Sequence, residues 1–218
     1  MQINWTQIPR MKMKLFHASC HFLVACLFIA GCGDSNPPSE LPPELSFREQ
    51  LRQVIAGESD SIEVSDRTVS PAELQLLSRA TQLQRIRLDQ TPLADPAAAV
   101  LGALPELQFV NLPQADITDA GLAEIAKLPQ LTQLRIGSPH LTDAGIAALR
   151  DNPSLRFLHL LQTPLTDAAL EHIAEINSLE SFYLDQTNIT EPGLAKLIER
   201  RPQLHVHFDD SHLPGQEH

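Results

Sequence analysis

Leu83, Leu107, Leu131, Leu155 and Leu179 stand 24 residues apart, and each opens the same phrase. That phrase is L-x-x-L-x-L, then a small residue, an apolar one and usually Thr-Asp. At Leu107 it runs Val110, Leu112, Ala115, Ile117, Thr118, Asp119; at Leu155 it runs Leu158, Leu160, Thr163, Leu165, Thr166, Asp167. The stretch before Leu83 fits with its first leucine missing, through Ile62, Val64, Val69, Leu74 and Leu77. A fixed period of this length marks a solenoid, whose units cannot bury their apolar faces alone and must stack to do so.

Two hydrophobic rhythms share each unit. Leu158 and Leu160 alternate with Phe157 and His159, which predicts a short strand with one buried and one open face. Leu170, Ile173 and Ile176 fall three apart, which predicts a helix running back over the strand layer. Thr118-Asp119, Thr142-Asp143, Thr166-Asp167 and Thr190-Glu191 stand where a helix would start. There threonine suits the N-cap and the acid suits the first turn. Pro105, Pro129, Pro153 and Pro202 end each helix two residues before the next leucine.

The pattern resembles leucine-rich repeats of the cysteine-containing and ribonuclease-inhibitor-like kind, best in Ile117-Thr118-Asp119-Ala120-Gly121-Leu122 and Leu141-Thr142-Asp143-Ala144-Gly145-Ile146. The resemblance spans roughly residues 59–213. It implies an α/β leucine-rich-repeat solenoid, a right-handed superhelix with parallel strands on the concave face and helices on the convex face. One column departs from the family: its usual Cys or Asn is Thr91, Ala115, Pro139, Thr163 or Thr187 here.

The expected organisation has five parts. Residues 1–31 read as a signal peptide, 32–43 as a lipidated cysteine with a Pro-rich tether, and 44–58 as an N-terminal capping helix. Residues 59–213 hold six units of 24–25 residues plus a terminal strand, and 214–218 form a tail. Arg10, Lys12 and Lys14 precede an apolar run ending in Ile29-Ala30-Gly31-Cys32, the layout of an export signal. Those last four residues resemble a bacterial lipobox, which implies acylation of Cys32 and an exported, membrane-anchored lipoprotein of the cell envelope. The run is shorter than the ~20 apolar residues a spanning helix needs. Cys20, Cys26 and Cys32 are the chain's three cysteines, so a mature domain would hold no disulfide.

The chain carries 16 basic and 27 acidic residues, and no basic run interrupts that balance. Such a surface repels phosphate backbones, which argues against nucleic-acid partners. No nucleophile elbow, P-loop or zinc-protease motif is present, so the expectation is a non-enzyme without cofactors. The recurring Asp95, Asp119, Asp143 and Asp167 keep register with the fold, which favours capping over catalysis.

Binding chemistry falls on the open strand positions. One column reads Arg87, Asn111, Arg135, His159, Tyr183 and His207; a second reads Arg85, Phe109, Gln133, Phe157, Ser181 and His205. Gln90, Gln114, Ser138, Gln162 and Gln186 stand just beyond. Aromatic residues beside arginine are the types enriched at protein interfaces. The expected partner-binding set is Arg85, Arg87, Phe109, Asn111, Arg135, Phe157, His159 and Tyr183, and the expected ligand is a protein. Arg85, Arg87, Arg135 and Arg156 on an acidic chain point toward acidic features in that ligand. His205-x-His207-x-Asp209 is a candidate metal cluster, outweighed by its terminal place, so no metal is assigned. Other readings are a structural envelope component without a ligand and a ubiquitin-ligase substrate-receptor repeat module. The leader and the missing F-box disfavour the last.

Overall fold

The computed structural model describes residues 45–208 and 211–212. The leader, Cys32, the tether, Asp209 and the tail lie outside the described residues. No helix among the described residues is long and apolar enough to cross a membrane.

Strands and helices alternate as the period requires. The strands are β1 (Ser61–Val64), β2 (Arg85–Leu88), β3 (Phe109–Leu112), β4 (Gln133–Ile136), β5 (Phe157–Leu161), β6 (Ser181–Asp185) and β7 (His205–Phe208), joined in sequence order by parallel pairing. The register steps by one unit throughout: Leu112 faces Ile136, Ile136 faces Leu160, and Leu160 faces Leu184. All four are fully buried and form one inner row. The fold is an α/β leucine-rich-repeat solenoid.

The helical layer is less regular than the strand layer. It holds α2 (Pro71–Gln75), α3 (Asp95–Gly102), α4 (Asp119–Ala126), α5 (Ala169–Glu175) and α6 (Glu191–Arg200), while the fourth unit has a 3-10 helix over Asp143–Leu149. Threonine caps as expected at Thr118 and Thr190, whose hydroxyls accept from Ala120 N and Gly193 N. Thr142 makes no such bond. In the fifth unit Thr166 Oγ1 accepts from Ala168 N one turn before α5 begins.

The repeated aspartates reach further than capping predicts. Asp95 Oδ1 and Oδ2 accept from Thr118 N (2.8 Å) and Thr118 Oγ1 (2.7 Å) of the next unit. Asp119 holds Thr142, Asp143 holds Thr166 and Asp167 holds Thr190 in the same way. The motif glycine follows from this ladder: a methyl at Gly121, Gly145 or Gly193 would strike the preceding unit's aspartate. Thr190's backbone and hydroxyl bonds hold the Asp167 carboxyl below its usual range. Stability from that depressed value is present above the ordinary carboxylate pKa and is lost as pH falls through the folded one. Asp167 is exposed, so Asp167→Ala should cost only about 1 kcal/mol at neutral pH. Its stability should also fall less steeply on acidification below about pH 4, which acid-titrated chemical denaturation would check.

Both ends of the sheet are closed. The helix α1 (Phe47–Ala56) begins at Ser46, whose hydroxyl accepts from Glu49 N, and ends at Gly57 in the left-handed region. Its buried face is Phe47, Leu51 and Val54, while Leu45, just before the helix, and Ile55 are 44% and 38% exposed. The Gln50 amide accepts from Glu63 N and donates to Glu63 O, both at 2.7 Å, and so occupies the open edge of β1. At the other end the last repeat strand, β7, has a further neighbour. The two-residue strand β8 (Ser211–His212) pairs antiparallel with β7.

Polar side chains in and near the column of Thr91, Ala115, Pro139, Thr163 and Thr187 differ in role from unit to unit. Thr91 Oγ1 accepts from Val69 N, and Thr187 Oγ1 accepts from Ile189 N. Ser138, expected beyond the strand on the open side, is buried and donates to Ile117 O at 2.7 Å. Thr163 Oγ1 is buried with no hydrogen-bond partner among the described residues. Asn152, 5% exposed, donates to Ala126 O and Leu128 O and accepts from Ser154 N and Leu155 N. Arg201 repeats the first half of that role two units on, donating to Ala174 O, Ile176 O and Leu179 O.

Candidate protein-binding face

Parallel pairing turns the two sequence columns into two real rows. Arg85, Phe109, Gln133, Phe157, Ser181 and His205 lie side by side, as do Arg87, Asn111, Arg135, His159, Tyr183 and His207. Ser61 and Glu63 of β1 extend both rows. Alternation along the strand creates a third row, containing Asp89 and Asp185, which the sequence reading missed. The same two-residue step beyond Arg87 and Tyr183 would have found it.

The central row is a connected network. Arg135 Nη1 donates to Asn111 Oδ1 (3.2 Å), and Arg135 Nε donates to His159 Nδ1 (3.3 Å). His159 Nε2 stands 2.6 Å from Asp185 Oδ2. The His159 and Tyr183 rings meet at a tilt, 5.8 Å between centroids. Tyr183 then stacks flat on His207 at 4.2 Å, 9° from parallel. Burial pulls the half-buried Arg135 guanidinium below its ordinary pKa. Asp89 opposes this, Arg87 reinforces it and Asp185 opposes it. Burial also pushes the Tyr183 phenol up, against a hydrogen bond with Ser181.

The arginines are engaged within the chain. Arg85 pairs with Asp60, Arg87 grips both oxygens of Asp89, and Arg156 pairs with Glu180. The three cations Arg85, Arg87 and Arg135 share the rows with three carboxylates, Glu63, Asp89 and Asp185. This balance removes the sequence-based case for an acidic ligand. Phe157 is the large apolar side chain left most open on the face, at 36%. Among the described residues no group of three or more His, Cys, Asp or Glu side chains stands ready to hold a metal ion. His207 is stacked on Tyr183, while Asp209 falls outside the described set.

No protein-family model and no curated protein matches this sequence. Among solved structures, an internalin (InlF) from Listeria monocytogenes strain 4b F2365 gives a TM-score of 0.48 at 20% identity, covering 66% of this chain and 38% of that one. The plant peptide hormone receptor RGFR1, solved in complex with RGF2, gives 0.43 at 18% identity, covering 69% of this chain and 28% of that one. This chain therefore spans less than half the length of either. These scores say nothing about what this chain binds. The register and the alternating layers alone establish its leucine-rich-repeat fold.

Proposed function

We propose that this chain is a non-catalytic binding protein, exported and lipid-anchored through Cys32, that holds a protein partner on its concave sheet face. One observation carries the binding reading. The sheet aligns Asn111, Arg135, His159 and Tyr183 in one row, beside open Phe157, on a face whose charges balance. Interface cores are poor in net charge and rich in tyrosine, phenylalanine and arginine, and a smooth repeated surface suits a large ligand. Export and anchoring rest on the sequence from Arg10 to Cys32 alone.

The test is photo-crosslinked capture from envelope extract by the full chain, alongside Phe109→Ala, Arg135→Ala, Phe157→Ala and Tyr183→Ala. A true interface has a few positions worth about 2 kcal/mol or more, so at least one variant should weaken capture more than about tenfold. Equal capture by all four would remove the face from consideration. Mass spectrometry of the native N-terminus tests the anchor separately; an unmodified residue upstream of Cys32 would refute it.

A further inference from the structure

At the centre of the concave face one histidine stands between a cation and an anion. His159 Nδ1 accepts from Arg135 Nε at 3.3 Å, and Nε2 lies 2.6 Å from Asp185 Oδ2. A single protonation state satisfies both contacts: the neutral ring with its proton on Nε2, lone pair toward the guanidinium and N–H toward the carboxylate. Through Arg135 Nη1 and Asn111 Oδ1 the chain of bonds continues to β3, so four strands are tied together.

A second proton on that ring sets N–H against N–H, with two cations on strands ~4.8 Å apart. The protonated ring keeps Asp185, since a charged hydrogen bond strengthens that contact. Arg135 is then the group that yields. We infer that His159 is a proton-operated latch on Arg135: mild acid turns the guanidinium away from β5 and remodels the middle of the binding face. Among the described residues, the groups facing the pair favour that movement. Asp185 and Tyr183 of β6 hold the imidazole from one side, with His207 of β7 beyond them. Arg87 and Asp89 act on Arg135 from the other side, and Asp89 is the carboxylate that attracts it there. As a regulator of binding the latch rests on the protein-partner reading, but the latch itself belongs to the free protein.

Nitrogen NMR of the uniformly labelled full chain, titrated between about pH 8 and 5 across the imidazole range, is the experiment. At the alkaline end His159 should show the Nε2–H tautomer and Arg135 Nε–H should be protected relative to a free guanidinium at the same pH. Through the titration, the protection of Arg135 Nε–H relative to the base-catalysed intrinsic rate at each pH should fall about tenfold, the loss of one hydrogen bond, with the same midpoint as His159. His159→Gln offers an acceptor and a donor at similar places but cannot titrate, so it should abolish the response. His172→Gln, on the helical layer, should leave it intact. An Nδ1–H tautomer at pH 8 overturns the latch, as does an Arg135 signal that stays flat while His159 titrates. If His159→Gln fails to fold, judged by far-UV circular dichroism, the tautomer and the shared midpoint in the unaltered chain decide the matter.

Discussion

Asn152→Ala is expected to lower unfolding stability by about 3–5 kcal/mol, the largest loss from any single polar side chain here. Its amide satisfies two carbonyls of the preceding unit and two N–H groups of its own turn, all at 2.9–3.0 Å. Truncation strands four backbone groups where the side chain had been buried, and each stranded group costs about 1–3 kcal/mol before local relaxation. The site lies mid-array, so the injury falls on the junction that couples the two halves. Urea unfolding should show a lower midpoint and, as coupling between neighbours fails, a broader transition. A loss under about 1 kcal/mol would mean that water or a shifted turn substitutes for the amide.

Gly137→Ala should cost about 3 kcal/mol or more, through backbone rather than side-chain chemistry. Gly137 N donates to Leu112 O at 3.0 Å and Gly137 O accepts from Ala115 N at 2.8 Å, so both of its backbone polar groups are tied to the preceding coil. A methyl there would run into the carbonyl oxygens of Pro113 and Leu161, which are backbone atoms and not the free ends of flexible side chains. Gly57→Ala is the natural comparison. Gly57 has φ of 74° but meets only the end of the Gln82 side chain at 3.4 Å. It should lose about 1 kcal/mol, the cost of left-handed backbone for alanine. Parallel denaturant curves would decide, and a larger loss at Gly57 than at Gly137 would refute the close-approach argument.

The parts legible in the sequence were those fixed by period alone. The leucine spacing placed every parallel strand, the inner row from Leu112 to Leu184 and both outward columns, because one residue of slip would turn each side chain to the wrong face. Polar bonds between units were not legible. Asp119 has a sufficient local explanation as a first-turn acid, and nothing in one copy of the phrase shows that its carboxylate reaches Thr142. Asn152 and Arg201 differ in type and are offset by the extra residue, so their shared role shows only in three dimensions. Ser138 was misplaced because Gly137 draws the chain inward, burying a position that stays open at Gln114 and Gln162. Both Gln162 and Gln186 have φ near 50°, a strained turn that their composition does not announce. On the face itself, the arginines were identified but not the acids that neutralise them, since Asp89 and Asp185 extend the strand rhythm past the leucine phrase.

The aspartate ladder also has a direction. From Asp95 to Thr190 each coil hands a carboxylate forward and offers a threonine back, so four successive seams share the same pair of contacts. A gene that copied or lost whole 24-residue blocks inside this run would leave each surviving seam with both of its halves. The two terminal closures, Gln50 and the β8 turn-back, sit outside the region that such events would touch. Length is thus the cheapest property for this architecture to vary in evolution, and the breadth of the surface it offers varies in step.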